Sequence, residues 1–307
     1  MVDLSVDLAG ITLKNPLILA SGIMGVSASS LKYVEENGAG AVTLKSIGPK
    51  DREGHHNPTV FAWGEGVANS VGLSNPGVEV ALAMIKESMD RLSVPLIVSI
   101  FADKAENFVR VADKIMPLKP LVIEVNLSCP NTEDEFGKMF SLDLGAAERV
   151  VSMVRTVCDR STKIFAKLTP EATDFTTIGK AVENAGADGI TAINTVLSSI
   201  IDPYMGCPIL NNKIGGISGR AIKPVGIEAV YNLYKTVKVP IIGTGGITTG
   251  EDAIEYIMAG ATALGVGSAI YYRGIDVFQK IAKEMKDFME KMGYKTITEM
   301  RGMAHRS

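Results

Sequence analysis

Pro95-Leu96-Ile97-Val98-Ser99-Ile100, Leu121-Val122-Ile123-Glu124-Val125-Asn126 and Lys163-Ile164-Phe165-Ala166-Lys167-Leu168 decide the fold. Each is a short apolar run broken by only one or two polar residues. None alternates as a strand with one wet face would, so both faces must be covered by protein. An amphipathic stretch follows each run, at Ala105–Ile115, Asp143–Cys158 and Thr176–Asn184. A strand followed by a covering helix, repeated, is the unit of a parallel α/β sheet.

The same unit recurs on either side. Further strands are expected at Pro16–Ala20, Ala41–Lys45, Gly189–Asn194, Pro240–Gly243 and Ala263–Gly267. Further helices are expected at Ala28–Glu36, Val78–Arg91, Pro224–Val237, Gly250–Met258 and Ile275–Met292. Eight units predict an α/β chain folded as a (β/α)8 TIM barrel, an architecture of typically ~250 residues. The surplus in a chain of 307 residues fits an N-terminal β-hairpin (Leu4–Ala9, then Ile11–Asn15) and long loops on the active face. A doubly wound open sheet shows the same alternation. The unit count and the lack of GxGxxG after the first strand favour the barrel. No Pro/Gly/Ser-rich linker or charge block interrupts the chain, which predicts a single domain over residues 1–307.

Composition excludes several function classes. Hydrophobic residues at 46% and charged residues at 21% fit a globular chain and rule out disorder. The net charge of −3 gives no basic stripe, so no nucleic-acid partner is expected. Three cysteines without a CxxC pair argue against a disulfide framework or structural zinc. Cys158 and Cys207 are expected as buried small hydrophobes, and His55-His56 as a solvated loop pair. The N-terminus lacks the basic start and apolar run of a signal peptide. No apolar stretch reaches the ~18 residues of a membrane span. A soluble, cytoplasmic chain with no membrane association is the expectation.

In a barrel the chemistry gathers where strand C-termini meet the following loops. Those ends read Ser21-Gly22, Lys45-Ser46, Ser99, Asn126, Lys167, Asn194-Thr195, Gly245-Gly246 and Gly267-Ser268. Lysine is rarely buried unpaired, so Lys45 and Lys167 point to an anion. Gly243-Thr244-Gly245-Gly246 and Gly265-Val266-Gly267-Ser268 occupy the seventh and eighth strand ends, the usual phosphate site of such barrels. Two loops exceed ordinary length, one after the fourth strand (Ser128–Gly137) and one after the sixth (Val196–Arg220). Cys129 stands on the first, among polar neighbours, where a thiolate could accept a proton. With no HExxH, DxDxDG or P-loop pattern, no metal is expected. What remains is metal-free proton transfer beside a phosphorylated ligand.

Asn126-Leu127-Ser128-Cys129-Pro130-Asn131, Asn69-Ser70-Val71-Gly72-Leu73-Ser74-Asn75-Pro76, Ala20-Ser21-Gly22, Thr43-Leu44-Lys45-Ser46 and Gly243-Thr244-Gly245-Gly246 together resemble the class 1 dihydroorotate dehydrogenases. The likeness runs through nearly the whole chain. The opening Gly10-Ile11-Thr12-Leu13-Lys14-Asn15-Pro16 is similar to the class 1B branch, which pairs with an iron–sulfur/FAD subunit and reduces NAD. The resemblance implies one FMN per chain and oxidation of (S)-dihydroorotate to orotate in pyrimidine (UMP) biosynthesis. It implies Cys129 as the base that removes the C5 proton while hydride passes from C6 to flavin N5. Class 2 enzymes carry serine there and an N-terminal extension.

Carried over position by position, the implied orotate contacts are Lys45, Asn69, Val71, Gly72, Leu73, Asn126, Asn131, Asn194 and Thr195. The implied FMN contacts are Ala20, Ser21, Lys45, Ser46, Asn126, Lys167, Ile193, Gly219, Gly245, Gly246, Gly267 and Ser268. A homodimer assembled with the electron-transfer subunit is also implied, with FAD and the iron–sulfur cluster on that partner. Two features depart from the pattern. Ser99 stands where many relatives place asparagine beside the flavin, and Glu133-Asp134-Glu135 makes the catalytic loop acidic. Other readings of the same residues are a flavin barrel acting on dihydrouracil or tRNA dihydrouridine, a non-redox phosphosugar barrel, and a non-catalytic subunit that kept the fold.

Overall fold

A computed structural model describes residues 2–128, 139–172 and 174–306. Eight parallel strands close into a barrel. They are β1 (Leu17–Leu19), β2 (Ala41–Thr43), β3 (Leu96–Ile100), β4 (Val122–Asn126), β5 (Lys163–Leu168), β6 (Gly189–Ala192), β7 (Ile241–Thr244) and β8 (Ala263–Val266). Every strand pairs with its neighbours in sequence, and β8 pairs with β1. A doubly wound sheet reverses its strand order at a switch point. No such reversal exists here, so the barrel expectation holds.

Burial explains why the strands read as unbroken apolar runs. All residues of β1, β2, β3, β6 and β8 are buried, as a sheet covered on both faces requires. The covering layer is α1 (Ala28–Glu36), α2 (Val78–Arg91), α3 (Ala105–Ile115), α4 (Leu144–Val157), α5 (Phe175–Asn184), α6 (Lys223–Thr236), α7 (Gly250–Ala259) and α8 (Val277–Met292). Helix α3 shows the logic: Ala105, Phe108, Val111, Ala112 and Ile115 form one buried stripe at helical spacing. Truncating fully buried Phe108 to alanine would cost about 3–5 kcal/mol. Among the described residues, no helix is long and apolar enough to cross a membrane.

Several element ends shift by a residue or two for local reasons. Asp143 is not in α4 but caps it, its carboxylate accepting the Ala146 N–H at 2.8 Å. Lys45 leaves β2 because its N–H donates to the Gly25 carbonyl at 2.8 Å instead of to a neighbouring strand. The N-terminal hairpin pairs Val6–Leu8 with Ile11–Leu13. Its two turn residues, Ala9 and Gly10, both have positive φ, the signature of a type I′ connection.

The sequence reading missed one long excursion. Between β2 and α2 the chain makes four short strands: Asp51–Arg52 pairs with Asn75–Pro76, and between them lie Val60–Trp63 and Gly66–Asn69. Val60–Trp63 and Gly66–Asn69 join Gly215–Ser218 and Val196–Ser198, from the loop after β6, in one four-stranded antiparallel sheet. Gly215 and Gly216 permit that closure, because a Cβ at Gly216 would fall 2.0 Å from Thr195 Oγ1. Cys158 is buried as expected, and burial pushes its thiol up to about 11. Cys207 corrects the expectation: it is exposed on the two-residue strand Cys207–Pro208, away from the core.

Candidate active site

A cavity of ≈ 380 Å³ opens at the C-terminal ends of the barrel strands, within the size range of small-molecule sites. Ala20 and Ser21 reach it from the end of β1, Lys45 and Ser46 from β2, Asn126 from β4 and Lys167 from β5. Ile193, Asn194 and Thr195 follow β6, Gly245 and Gly246 follow β7, and Gly267 and Ser268 follow β8. The excursion after β2 adds Asn69, Val71, Gly72 and Leu73. All of these were expected from the sequence. Gly219 stands beside this wall and not in it: its carbonyl oxygen sits behind Gly246, 2.8 Å from where a Cβ there would lie. Cys129, Asn131 and the Glu133-Asp134-Glu135 run lie outside the described residues.

Other wall residues escaped the sequence reading, notably Ile23, Val60, Ala62, Val67, Ile222 and Tyr271. They extend the apolar part of the wall that Val71, Leu73 and Ile193 begin. Val60, Ala62 and Val67 alternate along the hairpin strands, a weak period-2 signal that could have marked them.

The polar groups are held in fixed orientations. Asn126 and Lys167 are register partners on β4 and β5. The Lys167 side chain is 4% exposed, and among the described residues its ammonium has one hydrogen-bond partner, Ser21 Oγ at 3.1 Å. A cation so placed calls for an anion or a strong acceptor from the cavity. Ser128 ties two asparagines together. Its N–H and hydroxyl donate to Asn126 Oδ1 at 3.2 and 3.3 Å, and its Oγ accepts from Asn194 Nδ2 at 3.0 Å. Asn194 Nδ2 also donates to the Ser128 carbonyl, while Asn194 Oδ1 accepts the Thr195 N–H at 2.8 Å. Glu171, beyond the end of β5, accepts the Leu197 N–H at 2.6 Å and so anchors the strand that follows Thr195. Burial pushes its carboxyl above the usual range.

The loop after β7 is built for a close backbone approach. Gly245 and Gly246 have φ of +126° and +72°, a region that favours glycine. A side chain at Gly246 would collide with Gly219 O and the Lys223 N–H. Behind the loop, Thr249 caps α7, and Asp252 accepts from the N–H groups of both Thr248 and Thr249 at 2.9 Å. Burial opposes the Asp252 charge, yet the Lys223 ammonium and these N–H donors together hold its carboxyl below the usual range.

These residues fit flavin mononucleotide on three observations. Lys167 presents a buried ammonium. Thr244 lines the cavity, and its buried Oγ1 has no hydrogen-bond partner among the described residues. A Cβ at Gly267 would meet nothing closer than Ala20 Cβ at 3.7 Å, so the backbone there lies open to a ligand. Glycine loops of this kind at the seventh and eighth strand ends could hold the phosphate. Ser99, left open by the sequence, is fully buried and does not line the cavity. Its hydroxyl instead meets Ser46 and Glu124.

Residues 3–289 match the family model described as Dihydroorotate dehydrogenase. Relatives carry the name dihydroorotate dehydrogenase B (NAD(+)), catalytic subunit. That of Methanocaldococcus jannaschii is 45% identical over 98% of this chain and 98% of its own. That of Pyrococcus abyssi is 42% identical over 98% of this chain and 99% of its own, and that of Thermoplasma acidophilum is 42% identical over the full length of both. The strand-end asparagines and lysines, the glycine loops and the matched length agree: this chain belongs to the dihydroorotate dehydrogenase family.

Proposed function

We propose that the chain oxidises (S)-dihydroorotate to orotate in pyrimidine biosynthesis as the catalytic subunit of an NAD-linked enzyme, with FMN in the barrel mouth. The observation that carries this reading is the buried Lys167 ammonium, with Ser21 as its one hydrogen-bond partner among the described residues, facing a cavity ringed by Asn69, Asn126 and Asn194. FMN, when bound, supplies the two-electron acceptor. Gly245, Gly246, Gly267 and Ser268 hold its phosphate, and Ala20, Ser21, Ser46 and Ile193 flank the rest of it. Lys167 stabilises negative charge on the cofactor. Lys45 faces the substrate carboxylate, and the asparagine amides, each donor and acceptor, match the alternating groups of a pyrimidine ring.

Cys129 takes the substrate proton as its thiolate. Asn131, Val71, Gly72, Leu73 and Thr195 complete the substrate pocket and exclude water. The chain works as a single cytoplasmic domain, assembled as a homodimer with a partner subunit that carries FAD and an iron–sulfur cluster. An anaerobic visible spectrum before and after adding dihydroorotate tests the reading. A flavin spectrum that bleaches is expected. A colourless chain that also fails to take up added FMN would overturn it in favour of a non-redox barrel.

A further inference from the structure

We propose that Glu124, which touches no ligand, is a positioning residue that sets the hydrogen-bonding sense of Asn126 through a relay inside the barrel. Glu124 is 3% exposed, and both of its carboxylate oxygens accept a hydroxyl hydrogen. Ser99 Oγ donates to one at 2.9 Å and Thr191 Oγ1 to the other at 3.1 Å. Ser99 has a single hydroxyl hydrogen, and Glu124 takes it. The 2.9 Å contact between Ser46 Oγ and Ser99 Oγ therefore has one possible direction: Ser46 donates. Ser46 Oγ is thus left as an acceptor on its cavity side, where Asn126 Nδ2 reaches it at 3.5 Å.

The carboxylate thus orders the sequence Asn126 to Ser46 to Ser99 to Glu124, with every hydrogen pointing into the barrel. Its effect at the top is to hold Nδ2 of Asn126 towards Ser46 while Oδ1 accepts the Ser128 N–H. The second Nδ2 hydrogen has no partner among the described residues, so Asn126 offers the cavity a donor. A donor there selects a ligand with an acceptor, such as a ring carbonyl oxygen, and disfavours one that presents an N–H. Without Ser99 the Ser46 hydrogen is released and can turn towards the Asn126 amide, which then loses one of its two pins.

The inference rests on the functional reading above and is tested on the FMN-loaded chain by titration with orotate, followed through the flavin absorbance. Ser99, Thr191 and Glu124 are all absent from the cavity wall, so no substitution among them removes a side chain that lines it. Ser99→Ala cuts the relay and should raise the orotate Kd by about threefold to tenfold, the value of one hydrogen bond, with FMN content unchanged. Thr191→Val removes a hydroxyl from the same carboxylate but lies off the path to Asn126, and should change Kd by less than about twofold. Thermal melts should show both variants destabilised alike. Equal Kd values for the two variants, or an unchanged Kd in Ser99→Ala, overturn the relay. Where Ser99→Ala does not yield folded protein, Ser99→Cys replaces it in the same comparison. A thiol keeps the bulk but accepts and donates hydrogen bonds far more weakly than a hydroxyl, so a weakening in the same direction is expected and its absence is equally fatal. A wild-type chain that binds FMN but not orotate would instead bring down the functional reading, and the relay with it.

Discussion

Tyr256 donates its phenol hydrogen to the Gly245 carbonyl oxygen at 2.6 Å from a fully buried position on α7. The side chain occupies space that glycines leave open, since a Cβ at Gly226 would fall 1.9 Å from its hydroxyl oxygen and one at Gly243 2.5 Å from its ring. Burial pushes the phenol far above its ordinary range, so it remains a donor at every working pH. The contact turns the Gly245 carbonyl back towards the helix layer, which frees the amide side of the loop for the cavity. Tyr256→Phe should cost about 1–3 kcal/mol of stability and raise the FMN dissociation constant several-fold. Thermal melts with and without FMN, together with titration of the apoprotein, check this. A variant that loses stability but keeps FMN affinity would show that Tyr256 supports only the fold.

Lys167 gives the second prediction. Its hydrogen-bond partner among the described residues is a neutral hydroxyl, and none of those residues forms an ion pair with it, so an acceptor in the cavity would find a buried cation to meet. Lys167→Met keeps much of the bulk and removes the charge. Flavin reduction by dihydroorotate under anaerobic stopped flow should slow about 10- to 100-fold, the scale of one lost electrostatic stabiliser. Unchanged rate and flavin content would remove Lys167 from the site.

The barrel was legible because each strand is buried on both faces and each helix shows one apolar stripe, as β3 and α3 illustrate. The polar strand ends were legible for the opposite reason: Lys167 and Asn126 break apolar runs where packing gives them no purpose. Ser99 breaks a run as well, yet it belongs to the relay beneath the site and not to the cavity wall. Sequence alone could not separate the two, because the side chains of a barrel stack in layers, and layer depends on register. The four-stranded sheet over the mouth stayed hidden since Gly66–Asn69 and Gly215–Ser218 pair across 147 positions and contain little β-branched sequence. Gly219, an FMN contact by likeness alone, presents its carbonyl to Gly246 from behind.

Asp252 predicts a pH dependence. Burial disfavours its charge, but Lys223 and the Thr248 and Thr249 N–H groups outweigh that and hold its folded-state pKa below the unfolded value of ~3.9. The resulting stabilisation is fully present above the unfolded pKa and is lost as pH falls through the folded one. Asp252→Asn should therefore be less stable than the wild type by about 1–3 kcal/mol at neutral pH. The gap should close as the pH drops below about 4. Denaturant unfolding between pH 3 and 7 measures it, and a gap that stays constant across the range would refute the assignment.

Cys129 follows directly on Ser128, which is fully buried and tied to both Asn126 and Asn194. The residue before Cys129 is thus held at a fixed point beside two asparagines of the cavity wall. Cys129→Ser should lower turnover by about 10²–10⁴-fold at neutral pH, the range for loss of a general base. A hydroxyl is a far weaker acid than a thiol, so the variant should recover activity only at much higher pH. In the wild type, turnover should rise between pH 6 and 9 towards the ordinary thiol pKa of ~8.5. Flavin content and orotate affinity should be unchanged in the variant, which separates a lost base from a damaged pocket. A loss of less than threefold, or a flat wild-type profile over that range, would mean that the proton leaves by another group.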